Sequence, residues 1–210
     1  NYAFTVPVGG FVQPLAVGGL PENPETKRRF KNLLDLSGLA KDLQLLSSRR
    51  ASVDEILLVH TKKYIKDFIK LSENGGGELG KQTPFGPGGF EIASRSTGLV
   101  VMAVDAVMRG ELDNAYALSR PPGHHCLPDV PNGFCLLNNI AIAVRVAQAS
   151  KQVRRVAIID WDVHHGNGTE AIFYDDPNVL TISIHQNRNY PLDTGSNLDR
   201  GQGEGLGFNL

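Results

Sequence analysis

Residues 158–169 read Ile-Ile-Asp-Trp-Asp-Val-His-His-Gly-Asn-Gly-Thr, and the break inside this stretch decides the fold. Val156 to Ile159 form a continuous apolar run rich in β-branched residues, the pattern of a parallel strand buried on both faces. The run then gives way to Asp160, Asp162, His164, His165 and Asn167, closed by Gly166 and Gly168. The carboxyl end of a strand is where open α/β sheets hold their ligands. While the chain stays extended, Asp160, Asp162 and His164 alternate and project to one side. Two carboxylates and an imidazole can then converge on zinc or another divalent first-row metal. The plainer alternative is a strand-end turn with solvated charges. So many ligand-type residues at the end of a buried strand favour the metal site.

Working outward, Val179 to Ile184 (VLTISI) is a second buried strand, and Thr169 to Tyr174 between the two is a helical turn. Upstream, Ala115 to Leu118 reads as a short strand and IAIAVRVAQA after Asn139 as a helix. Strands alternating with helices over short linkers argue for βαβ units, hence an α/β class with a parallel sheet. Further back, Leu99, Val100, Ala103, Val104 and Val107 pattern a core helix over Phe90 to Met108. Ser52 and Glu55 match a capping box that opens a short helix toward Val59, with another helix from Tyr64 to Leu71. Pro24 to Leu36 is a helix with an apolar face of Phe30, Leu33, Leu34 and Leu36, stopped by Gly38. Asn74 to Gly89 is a Gly- and Pro-rich loop at a substrate entrance. Asn1 to Gly19 reads as an irregular arm, and Asp193 to Gly207 as a glycine-rich tail.

Two further clusters open onto the same edge. Arg120 to Asn139 (RPPGHHCLPDVPNGFCLLNN) holds His124 and His125 on a stiff backbone after Pro-Pro-Gly. A fixed histidine pair beside a metal suits proton transfer, because imidazole titrates nearest neutrality. Gly133 beside Phe134 would let the ring line a narrow channel, although Phe134 as ordinary core fits the pattern equally. Cys126 and Cys135 lack metal-type spacing and read as buried thiols. Ser183, Ile184 and His185 end the VLTISI strand. Backbone carbonyls there could ligate a harder cation, and His185 reads as support for the metal shell rather than a zinc ligand.

Composition sets the limits. The chain has 210 residues, 41 % hydrophobic and 20 % charged, with a net charge of −1. That is one ordinary globular domain, with no electrostatic case for direct nucleic-acid contact. No segment is apolar and long enough to span a membrane, and no signal peptide is evident. The cysteine usage fits a reducing compartment, with the cytoplasm as default and the nucleus or an organelle left open.

In this order and spacing, RPPGHH, GFCLLNN and IDWDVHHGNG resemble the histone deacetylase family, including its bacterial and acetylpolyamine-hydrolysing relatives. The resemblance implies a three-layer α/β/α sandwich of the arginase and deacetylase type, incomplete at the carboxyl end, and zinc-dependent hydrolysis of an acetylated amine. The substrate would be acetyl-lysine in a histone or other protein, or a small acetylated amine; a homo-oligomer or a corepressor-type partner is a further expectation.

By motif, Asp162 and His164 would bind zinc. Asp160 would back His124, and Asn167 would stand behind His125. A structural potassium ion would take Asp160, Asp162, His164, Ser183 and Ile184. A carboxylate behind His124 favours its charged form, whereas the amide of Asn167 does so less for His125. His125 is therefore the expected general base and later the acid for the leaving amine, with His124 mainly electrostatic. Gly133, Phe134 and Tyr190 would line the acyl channel, although YPLDTG here is one residue longer than the family's YPGTG. A third zinc ligand, an Asp, and a Tyr at the oxyanion belong to a part of the family beyond the equivalent of Leu210. Asp175, Asp176, Asp193 and Asp199 do not sit in that ligand's motif. The competing reading is a truncated, catalytically silent homologue that binds partners; a binuclear ureohydrolase leaves the histidine pair unexplained.

Overall fold

The computed structural model describes residues 22–80, 83–151, 153–199, 201 and 207–209. The arm expected over Asn1 to Gly19 lies outside the described residues, as does most of the glycine-rich tail beyond residue 201.

Helix α1 spans Pro24–Leu36; its N-cap Asn23 accepts from the amide of Glu25. Its apolar face stays outside the core: Leu33 is 62 % and Leu36 88 % exposed. Periodicity marks a face, but here that face is covered only in part, Tyr116 placing its ring 5.4 Å from Phe30. Helix α2, Val53–Ile56, is opened by the complete capping box of Ser52 and Glu55, and α3, Lys62–Glu73, by the hydroxyl of Thr61. The expected loop from Asn74 contains a short antiparallel hairpin, β1 at Gly77–Glu78 and β2 at Pro84–Phe85. Helix α4, Gly89–Met108, and helix α5, Asn139–Ala149, form the body of the molecule. Between them and α3 lies the main core, in which Phe68, Phe85, Val101, Leu136 and Ile142 are buried together.

Strands β3 (Val156–Asp160), β4 (Val179–Ser183) and β5 (Gly207–Asn209) form a parallel sheet in the order β3-β4-β5. Helix α6, Asn167–Phe173, is the crossover between the first two strands. The register sets Asp160 opposite Ser183, so the polar ends of both strands lie side by side. A second core joins the sheet to α5 and α6 through Ala141, Val144, Ile158, Phe173 and Val179.

Two expectations need correction. β3 is buried on one face only: Ile159 is 55 % and Trp161, just past it, 81 % exposed, with Ile184, the residue after β4, at 54 %. The apolar run marked a sheet strand, but helices cover a single side of the sheet among the described residues. Ala115 to Leu118 is not a strand. Ala117 and Ser119 line an open cleft of about 430 Å³ whose other wall includes Ile158 and Ile159, so this segment forms no ladder with β3. No helix among the described residues is long and apolar enough to cross a membrane.

Candidate active site

The histidine pair is placed by backbone contacts at which glycine is the residue that fits. A Cβ at Gly168 would lie 2.4 Å from the carbonyl oxygen of Cys126, so glycine lets the start of α6 press against the His124–Cys126 backbone. There the amides of Gly168 and Thr169 donate to His124 O at 2.9 and 3.1 Å. A Cβ at Gly166 would lie 2.4 Å from Asp160 Oδ2, the atom that partners His124.

Two buried asparagines complete the clamp. Asn139 donates to Pro121 O at 3.0 Å and to Ser96 Oγ at 3.2 Å, and accepts from Thr97 Oγ1 at 2.7 Å. Asn138 donates through its side chain to Cys126 O and Thr169 Oγ1 and caps α5 at the amide of Ala141. Its own amide donates to His60 Nε2 at 3.0 Å, while His60 Nδ1 donates to Pro128 O at 3.1 Å. None of these roles for His60, Asn138 and Asn139 was assigned from sequence. The available signal was two amides inside the apolar context LLNNIAIA, because buried polar groups need partners.

At the reacting edge the rings of His124 and His125 lie 3.9 Å apart. His124 Nδ1 is 2.8 Å from Asp160 Oδ2, and His125 Nδ1 is 2.9 Å from Asn167 Oδ1. Burial, reinforced by the charge of neighbouring His124, pushes His125 down to about 4, and the bond to Asn167 offsets this only in part. Burial raises Asp160, but the bonds from His124 and the Asp162 amide outweigh it and hold the carboxyl below its ordinary value. His125 is thus kept neutral and Asp160 ionised near neutral pH.

The chain bends after Asp160, so the three alternating ligands do not converge as one set. Asp160 turns to His124, while Asp162 Oδ1 approaches His164 Nδ1 at 3.0 Å. These two groups stay open, with side chains 49 % and 39 % exposed. A carboxylate oxygen and an imidazole nitrogen at this spacing fit two positions of a zinc shell, in which ligand distances are about 2.0–2.2 Å. Among the described residues no group of three His, Cys, Asp or Glu side chains forms a metal site. Of the oxygen donors expected for potassium, Asp160 O accepts from Ile184 N at 2.8 Å, and Ser183 Oγ lies 2.9 Å from His185 Nδ1.

Tyr190 stands over both sets, its ring edge-on to His125 at 5.1 Å and to His164 at 6.0 Å. Its hydroxyl donates to Asn132 Oδ1. Gly133 fills the corner between them, where a Cβ would lie 2.5 Å from His125 and 2.9 Å from Tyr190. Phe134 follows with φ 65, half-buried beside that corner. Of the other carboxylates, Asp176 is committed to Arg145 at 2.5 Å.

A parallel sheet whose strand ends carry a backed histidine pair beside a carboxylate and imidazole defines an α/β protein of the arginase and deacetylase type. The chain belongs to the histone deacetylase family: the histone deacetylase domain matches residues 20–210. It is similar to a histone deacetylase-like amidohydrolase of Pseudomonas aeruginosa, 55 % identical over 209 residues, covering 100 % of this chain and 55 % of that protein. A probable deacetylase of Archaeoglobus fulgidus is 38 % identical, covering 90 % of this chain and 54 % of its own length. The human polyamine deacetylase HDAC10 is also 38 % identical, with 90 % of this chain and 30 % of that protein covered. Among solved structures, the crystal structure of the HDA15 HD domain superposes with a TM-score of 0.86 at 33 % identity, over 92 % of this chain and 58 % of that one. The chain therefore spans about half the length of the first two relatives.

Proposed function

We propose that this chain carries the proton-transfer half and two metal-ligand positions of a zinc-dependent deacetylase that hydrolyses the acetyl amide of acetyl-lysine or a related acetylated amine. The observation that carries the reading is the pair of differently backed histidines, His124 on Asp160 and His125 on Asn167, 3.9 Å apart. Asp162 and His164 would hold the zinc, which when bound polarises the acetyl carbonyl and acidifies water.

The rest is supplied by the chain. With Nδ1–H donated to the amide oxygen of Asn167, the neutral His125 ring presents Nε2 as a base. Its low affinity for protons makes the imidazolium, once formed, a ready acid for the leaving amine. The Asp160 carboxylate orients His124 through Nδ1 and stabilises positive charge on that ring. The slot for an unbranched alkyl chain is proposed beside Tyr190 and Gly133, which lie close together against His125. No role is derived for potassium.

The test is metal content and turnover of Asp162→Ala and His164→Ala in the intact protein. Loss of stoichiometric zinc and of acetyl-peptide hydrolysis is expected; full zinc binding or full activity in either variant overturns the assignment. The two-donor metal site also suits a catalytically silent binding homologue. Acetyl-peptide binding without chelator-sensitive hydrolysis by the unsubstituted protein would establish that second reading instead.

A further inference from the structure

The histidine that follows His164 has no part in the chemistry above, yet His165 is among the most buried polar side chains, at 2 % exposure. Its Nδ1 lies 3.0 Å from Thr194 Oγ1, and its Nε2 lies 3.3 Å from the Glu170 carboxylate of α6. The single hydroxyl proton of Thr194 is directed to Pro191 O at 2.8 Å, so its oxygen accepts from His165 Nδ1–H.

A second ring repeats the contact. His185 packs on His165 with centroids 4.7 Å apart. Its Nε2 donates to Gly195 O at 3.1 Å, and its Nδ1 is held by Ser183 Oγ. Gly195 has φ +74, and a Cβ there would lie 2.4 Å from His185 Nε2 and 2.8 Å from His165 Cγ. The turn from Tyr190 to Gly195 is thus pressed onto two adjacent, tilted imidazoles, each bonded to one of its last two residues. Its first residue is the ring that stands against His125 and Gly133.

We infer that His165 is a positioning residue: with His185 it fixes the Tyr190–Gly195 turn, and thereby sets the width of the slot that admits the acylated alkyl chain. The chain of contacts runs from α6 through Glu170, His165, Thr194 and Pro191 O to Tyr190. It meets the proton-transfer groups at Asn167, whose amide donates to the main-chain oxygen of His165 at 2.9 Å, a bond kept when the imidazole is replaced, and at the Tyr190 ring edge against His125. This reading of the slot rests on the proposed deacetylase function, whereas the placement of Tyr190 does not. Loosening the turn changes binding of the alkyl chain and leaves the chemical step alone, because His124, His125 and Asn167 are held through α5 and α6, and Asp160 by the β3–β4 ladder.

The test uses the intact protein labelled with 3-fluorotyrosine, with Tyr190→Phe identifying the Tyr190 resonance. His165→Leu and Thr194→Val each remove the same bond, the second from the exposed side of the turn, where folding is not at risk. His165→Asn offers an amide N–H near the position of Nδ1 and should rescue. The Tyr190 ¹⁹F signal is expected to shift or broaden in the Leu and Val variants and to return toward the parent in the Asn variant. With an acetyl-lysine peptide, KM should rise about tenfold while kcat stays within about twofold, the pattern of lost uniform binding. The double variant should be no worse than either single one. An unchanged Tyr190 signal in Thr194→Val, or an equal fall in kcat and kcat/KM, overturns the inference. If the unsubstituted protein shows no hydrolysis, the deacetylase reading fails, and the fluorine signal alone still decides whether His165 places Tyr190.

Discussion

His60 lies outside the reacting cluster, yet its two nitrogens join the end of α2 to Pro128 and to the amide of Asn138. Burial pushes it down to about 4 from 6.5. Between those values the unfolded chain binds a proton that the folded chain refuses, so stability is lost as pH falls through the window. The loss from this group is about 3 kcal/mol. Urea unfolding between pH 7 and 4 should show that decline, and His60→Gln should flatten it from a lower starting stability. A parallel slope in the variant would remove His60 as the cause. At His125 the partner is an amide, and Asn167→Asp would set a carboxylate against Nδ1. The imidazole should then titrate higher by about one to three units, read by ring nitrogen NMR, with the acid limb of the rate profile moving the same way. The residues proposed to react stood out in the sequence because metal and proton chemistry draws on few residue types. The amides that hold them were quoted within a motif without roles, since only the fold shows what a buried Asn must satisfy.

Among the elements, α6 carries more constraint than its seven residues suggest. Gly168→Ala forces a methyl against the Cys126 carbonyl, so the helix start or the His124–Cys126 backbone must move. A destabilisation of about 1–3 kcal/mol is expected in chemical denaturation, together with a weakened His125–Asn167 bond. A variant as stable as the parent would show that this contact yields at no cost. The same locality explains what the sequence showed of the fold. Helices α1 to α6 and strands β3 and β4 follow from caps, periodicity and β-branched runs, all set within a few residues. The hairpin at Gly77 and Phe85, the unpaired stretch from Ala115 and the bare side of β3 depend on which distant segment lies alongside. Ten residues of local pattern do not carry that information.

Across the whole molecule, apolar surface is unevenly covered. Ile159, Trp161, Val163 and Ile184 are each more than half exposed on or beside the outer side of the sheet. Trp161 is the single tryptophan and lies between Asp160 and Asp162, so its fluorescence reports on this region. In the 210-residue chain, emission close to that of a fully hydrated indole and ready quenching by iodide are expected; a blue-shifted, protected signal would show that the surface is covered. The two cores bear differently on the site. Cys126, Cys135, Leu136 and Leu137, which flank the histidine pair, are set in the large core with α3 and α4, whereas Asp162 and His164 extend from a strand held by the small one. The catalytic centre proposed above, divided between a thick and a thin core, is only as durable as the thin one. On slow heating of the intact protein, the proposed hydrolysis should therefore cease several degrees before the helical circular dichroism collapses, and on cooling within that interval it should return without refolding of the helices.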